Sequence, residues 1–234
     1  GQALALMQQM PDAMNQADVL EQIASLLPSS WLAEALATAR ELQDEYARAR
    51  ALSGLAYHLP PEMLPEVLAA ARGIQDEDAR AWVLSALVPH LPPELLAEAL
   101  AAALGIQDED ARSRALTGLA PYLPAELQHE VLTEALAAAR GIQNEYHRTR
   151  ALTGLAPYLP AELQHEVLTE ALAAARGIQN EETRARALTD LAPYLSAELL
   201  PEALIQAMLA ICNISGITER YELFDKLDVQ LRAF

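Results

Sequence analysis

One cysteine, Cys212, stands in a chain of 234 residues, so no internal disulfide and no cysteine-rich zinc module can form. Aromatic residues are few, 5% of the chain. Basic residues are few beside acidic ones: 16 Lys and Arg against 33 Asp and Glu give a formal net charge of −17. Neutralising phosphates takes clustered Lys and Arg, so this balance argues against nucleic acid or an anionic membrane as a partner. Long apolar runs are also missing. The best candidate, Ala203 to Ile217, is interrupted by Gln206 and Asn213 and is shorter than the roughly 18 residues that a membrane span needs. The amino terminus, Gly-Gln-Ala-Leu-Ala-Leu, has no basic stretch, so no signal peptide is expected and a cytoplasmic location is. The nine glycines are scattered singly, which leaves no loop able to cradle a phosphate. Leu and Ala dominate instead, and 52% of the chain is hydrophobic, too much for disorder.

Internal repetition organises this composition. Ala115–Arg150 reads ALTGLAPYLPAELQHEVLTEALAAARGIQNEYHRTR, and Ala151–Arg186 differs from it only at Tyr146/Glu182, His147/Thr183 and Thr149/Ala185. Equivalent segments start at Val19, Ala51, Val83, Ala115, Ala151 and Ala187, in steps of 32 and then 36 residues. The expected units are therefore 19–50, 51–82, 83–114, 115–150 and 151–186, with a last repeat and cap over 187–234.

Each unit predicts two amphipathic helices. Helix A is capped by Asp44, Asp76, Asp108, Asn144 or Asn180, each followed by Glu, which suits the helix dipole. Its apolar residues, such as Leu52, Leu55 and Leu59, recur at helical spacing. Pro89, Pro121, Pro157 and Pro193 end it. Helix B starts with Pro60, Pro92, Pro124 or Pro160 at the first helical position. It stops at Gly73, Gly105, Gly141 or Gly177, where a left-handed cap is expected. Short loops make A and B antiparallel, and one pair cannot bury its apolar face without neighbours. An all-α architecture follows: an α-solenoid of stacked antiparallel helical hairpins with 32- and 36-residue repeats. The four extra residues of the later units fall inside helix B, adding about one turn.

The ends differ from the middle. Residues Gln2–Gln9 align with the end of a helix B, and Asp12 falls in the capping column. Residues 1–18 therefore read as a truncated half-repeat leading into the first unit, with fourteen helices expected in all. An unpaired apolar face there would allow end-to-end self-association. At the other end Thr218 is the expected cap of a last helix carrying Phe224, Leu227, Leu231 and Phe234 on one face. Gly54, Ala86, Gly118 and Gly154 share a column that becomes Gln22 and Asp190 in the outer units, as capping repeats require.

The unit LAPYLPAELxxEALAAARGIQxExxRxRAL resembles the HEAT-like and tetratricopeptide-like helical arrays of bacterial multidomain proteins, including sensor arrays attached to nucleotide-switch ATPases. The resemblance implies a right-handed superhelix, helix B on its inner face, and recognition of a partner rather than chemistry. The tetratricopeptide signature itself, a 34-residue unit, is not present, and neither is a G-x-x-x-x-G-K-S/T phosphate loop.

In such an array function lies in columns. Glu34, Glu66, Glu98, Glu134, Glu170 and Glu202 form one on helix B, and Glu62, Glu94, Glu126, Glu162 and Glu198 another at its start. They could make an acidic trough for a basic peptide or protein, relieving repulsion between stacked like charges. They equally fit a solvated helix face. His58, His90, Tyr122, Tyr158 and Tyr194 form a ring column before Leu-Pro, either a contact edge or rings packed over their own turns. Trp82 takes the place held elsewhere by Arg50, Arg114, Arg150 and Arg186, as an exposed anchor or as an indole lying along a neighbouring helix. Arg48, Arg80, Arg112, Arg148 and Arg184 follow Glu by three and Asp or Asn by four, the spacing of intrahelical pairs.

Chemistry finds little support. Glu126-x-x-His129 and Glu162-x-x-His165 match the di-iron spacing, but that site needs two further carboxylates pointing into a bundle core. Both histidines are expected on the polar face instead. Cys212, in Leu209-Ala-Ile-Cys, reads as a small buried hydrophobe. No catalytic residue, metal or cofactor is assigned. The expected function is a non-catalytic scaffold for a basic protein or peptide; the alternative is a spacer, or an engineered, consensus-like array without a ligand of its own.

Overall fold

A computed structural model describes residue 10 and residues 12–232. Among these the chain is all-α, with thirteen α-helices and no strand. The helices are α1 (Ala13–Ala24), α2 (Ser29–Glu41), α3 (Glu45–Ala56), α4 (Leu64–Arg72), α5 (Glu77–Leu87), α6 (Pro93–Leu104), α7 (Glu109–Leu119), α8 (Ala125–Gly141), α9 (Glu145–Leu155), α10 (Ala161–Gly177), α11 (Glu181–Leu191), α12 (Leu200–Asn213) and α13 (Ile217–Arg232). Neighbouring helices pack on one another, an arrangement compatible with a helical repeat array. No helix among the described residues is long and apolar enough to cross a membrane. The expected first, truncated helix and the outer face residues Leu231 and Phe234 lie outside the residues whose side chains are described.

Starts of the A helices follow the expected chemistry. Asp44, Asp76, Asp108, Asn144 and Asn180 are N-caps whose side chains accept the backbone N–H groups of Ala47, Ala79, Ala111, His147 and Thr183. Asp12 does the same for Met14 and Asn15. Each cap satisfies donors that no carbonyl of its own helix can reach. Four of the A helices, α5, α7, α9 and α11, end in a single 3-10 turn that contains the proline.

Three terminal details differ from expectation. Pro92 and Pro160 sit one position earlier than expected, at the N-cap of α6 and α10, and Pro60 caps a 3-10 turn, Pro61–Met63, before α4. Extended backbone at the cap suits proline as well as the first helical position does. No described glycine has a positive φ. Gly73 and Gly105 stay right-handed, their N–H groups bonding back to Ala69, Ala70 and Ala101, so the helices end by tightening rather than by reversing hand. Thr218 lies inside α13, which begins at Ile217; there the Glu219 carboxylate folds back against Gly216.

The chain divides into two compact units, residues 1–128 and 129–234. In the first, α1, α3, α5 and α7 pack in sequence against one another, while α4 and α6 touch mainly their A neighbours. The contact layer is aliphatic: Leu20, Leu52, Leu55, Leu84, Leu87, Leu116 and Leu119 are fully buried, interleaved with buried Ala47, Ala79 and Ala111. Small residues let these helices approach closely. An added Cβ at Gly54 would stand 2.9–3.1 Å from Glu21, including its backbone, and one at Gly118 would stand 3.0 Å from the Ser85 hydroxyl.

In the second unit, α9 pairs with α10 and α11 with α12, and α13 covers α11 and α12. Leu223 and Leu227 of α13 are buried and Phe224 is half-buried, so the cap packs chiefly through its leucines. Here α10 spans 17 residues against 12 for α6. At Gly154 nothing approaches an added Cβ within 4 Å. Gly154→Ala should therefore raise stability by about 0.5–1 kcal/mol, the ordinary gain in helix propensity, while Gly54→Ala should lose that gain to the clash. Paired urea titrations check both.

Candidate functional site

Four carboxylates of the six-member helix B column, Glu66, Glu98, Glu170 and Glu202, are matched inside the chain. In the first unit Arg40 at the end of α2 pairs with Glu66 on α4, and Arg72 at the end of α4 with Glu98 on α6. In the second, Arg140 on α8 reaches Glu166 at 2.8 Å and Glu170 at 2.5 Å on α10, and Arg176 pairs with Glu202 on α12. The bond to Glu170, and then that to Glu166, holds the Arg140 guanidinium above its ordinary pKa. These pairs are half exposed and each contributes little to stability. They do offset the like-charge repulsion that the sequence suggested. Among the described residues, Glu34 and Glu134 are the members of the column without an ion pair. The first-turn column Glu62, Glu94, Glu126 and Glu162 faces solvent on or just before the B helices, and Glu198 is exposed in the turn before α12.

A second pattern of Glu and Arg is internal. Arg48, Arg80, Arg112, Arg148 and Arg184 each donate to the carbonyl six residues earlier, Leu42, Ile74, Ile106, Ile142 and Ile178. Arg220 repeats this with Ile214. The helix A glutamates reach forward: Glu45 accepts the N–H groups of Gln75 and Asp76, and Glu77 those of Gln107 and Asp108. Glu77 is also paired with Arg80 at 2.9 Å. The Gln107 N–H, then the Asp108 N–H and Arg80, hold its carboxyl below the usual range against an opposing push from burial. The intrahelical pairing read from spacing is present at Arg48, Arg80 and Arg184. Its main work, clamping the loop between units, was not visible, because a sequence does not show which loop lies over which helix.

The rings at the ends of the A helices divide. Tyr122, Tyr158 and Tyr194 are exposed to 46%, 45% and 49%. His58 is exposed as well, whereas His90 is half-buried with its ring 4.5 Å from that of Tyr57 in an edge-on contact. Trp82 is 39% exposed and lines a cleft of about 300 Å³ with His58, Tyr57, Glu21, Arg50 and Ser53. Gly54 and Ala86, two members of the small column, complete its lining. Two residues singled out separately from the sequence, His58 and Trp82, thus meet in one place. Tyr57 was missed, although it stands where later units carry Pro89, Pro121, Pro157 and Pro193.

Arg50, on the lining of this cleft, is paired with Glu21, also on the lining, and with Asp18, each 2.9 Å away. Its bond to Glu21 raises its pKa further, against some desolvation. Nearby on α3, Tyr46 is exposed and its phenol is pushed up, by burial first and then by the carboxylates of Asp76 and Asp78.

His129 and His165 are exposed, and among the described residues no three His, Cys, Asp or Glu side chains converge as a metal group. Cys212 is exposed on α12, not buried; the inward positions of that helix are Ala203, Leu204, Ala207, Ala210 and Ile211. No protein-family model and no curated protein matches this chain.

Proposed function

We propose that this chain is a non-catalytic interaction module, a right-handed α-solenoid of 32- and 36-residue helical hairpins that binds a protein or peptide. The observation behind this reading is the set of exposed rings at equivalent turns, Tyr122, Tyr158 and Tyr194, in a chain with only 5% aromatic residues. Tyrosines fixed on rigid helices supply contact area at low entropic cost. A net charge of −17 favours a basic partner and faster encounter with it. The helix B glutamates contribute to that field, although their arginine neighbours reduce it locally.

Selection from a peptide display library tests the reading. A selected binder should be rich in Lys and Arg and lose about 10-fold in affinity when Tyr158 and Tyr194 are both replaced by Ala. Glu98→Lys, Glu134→Lys and Glu170→Lys together should weaken it further and flatten its salt dependence. Failure to select any binder, or binders indifferent to all five positions, would reject the module in favour of a spacer. The internal ion pairs of the B helices are the observation that favours that second reading, since a spacer needs no outside countercharge.

A further inference from the structure

Two columns of helix A change together at one place. Their residues are Tyr46, Asp78, Asp110, Tyr146 and Glu182 in the first, and Arg50, Trp82, Arg114, Arg150 and Arg186 in the second. Where acids stand in the first column, arginines of the second pair with them: Arg114 meets Asp78 at 3.1 Å and Asp110 at 2.8 Å, and Arg186 meets Glu182 at 3.1 Å. Where Tyr146 stands, Arg150 lies over its ring at 5.9 Å. That distance is within reach of a cation–π attraction. The chain therefore meets aromatic and acidic side chains in this column alike with a guanidinium.

The exception is the pair of positions 46 and 82. Tyr46 presents a ring of the same kind, but Arg50, four residues on, is turned to Asp18 and Glu21. Trp82 then replaces the next arginine. The result is a cleft lined by two exposed rings, Tyr57 and Trp82. Glu21 and Arg50 line it, and Asp18 bonds the same guanidinium, so two carboxylates stand against one arginine. Ser53, buried on the cleft wall, leaves its hydroxyl unbonded, whereas Ser85, Thr117, Thr153 and Thr189 in the same column bond the carbonyl four residues back. The edge-on contact with His90 steadies Tyr57.

We infer that the Trp82 cleft binds an arginine side chain of a basic peptide, the guanidinium lying on the rings as Arg150 lies on Tyr146. The inference rests on the interaction module proposed above and assigns the ligand to one part of it. A lysine would gain less, because its compact, strongly hydrated ammonium cannot stack flat on an indole.

The test uses the whole chain with Trp31→Phe, so that indole fluorescence and the indole N–H resonance report Trp82 alone. The probe is the capped peptide Ac-(Gly-Arg)3-NH2, with the citrulline peptide of equal size and no charge as its control. The arginine peptide should shift the Trp82 signals saturably and bind about 10-fold more tightly than the citrulline peptide. Trp82→Arg should cost about as much and still fold, since four other units carry Arg at this position; circular dichroism checks that. Equal binding of the two peptides, or an affinity unchanged by Trp82→Arg, overturns the cleft. In the second case binding itself persists, so the interaction module stands while this site falls. No binding of the arginine peptide to the parent chain also overturns the cleft, and the display selection then judges the module separately.

Discussion

Leu84→Ala is expected to lower the free energy of unfolding by about 2–5 kcal/mol. Leu84 is fully buried on α5, in the layer where α5 packs on both α3 and α7. Removing its terminal methyl groups forfeits the transfer free energy and leaves a cavity that two flanking helices cannot both close. Leu104 is the internal control. It lies at the end of α6, is 44% exposed, and stands in the column of Arg40, Arg72, Arg140 and Arg176. Leu104→Ala should change stability by less than about 0.5 kcal/mol. Urea midpoints followed by circular dichroism at 222 nm separate the two. Equal shifts would mean that the A-helix layer is not the stabilising core of the first unit.

Glu77→Gln is expected to cost about 1–3 kcal/mol near pH 7, since it weakens charge-assisted bonds to two loop N–H groups and to Arg80. The effect should depend on pH in one direction. The Glu77 carboxyl titrates below its usual range in the folded chain, so its contribution is complete above the unfolded value of about 4.3. It disappears as pH falls through the lower, folded value, where the folded and unfolded states bind the proton alike. The stability difference between Glu77→Gln and the parent should therefore be constant from pH 7 to about 5 and shrink in more acidic solution. A difference that grows on acidification would contradict the clamp. Because the clamp joins α5 to the loop before α7, the variant should also speed amide exchange at Gln107 and Asp108 more than within α5 itself.

The ring variants and the clamp variants act on different properties. Substituting Tyr158 or Tyr194 removes surface that is already half in water, so it should alter binding and leave the unfolding midpoint nearly unchanged. Substituting Glu77 should do the reverse. A variant of either kind that changed both would show that the contact edge and the loop clamps are coupled.

Much of the architecture follows from local chemistry that a sequence carries openly. The capping Asp and Asn, the prolines after helix A and the helical spacing of Leu52, Leu55 and Leu59 each act within a few residues. They specify helix starts, stops and buried faces without reference to distant parts of the chain, and the all-helical result follows. What only the tertiary structure decided depends on which residues about 26–31 positions apart come to lie side by side. Arg72 meets Glu98 and Glu77 reaches the loop at Gln107, so charges that look like an unrelieved ladder and a set of intrahelical pairs become ties between successive helices. The same proximity joins His58, Tyr57 and Trp82 at one cleft. It also turns Cys212 outward, because α12 buries the Ala203, Ala207 and Ala210 side instead. Periodicity gives the angle of a residue around its own helix; the neighbour that this angle faces is set by how closely small residues such as Gly54 and Gly118 let the helices approach.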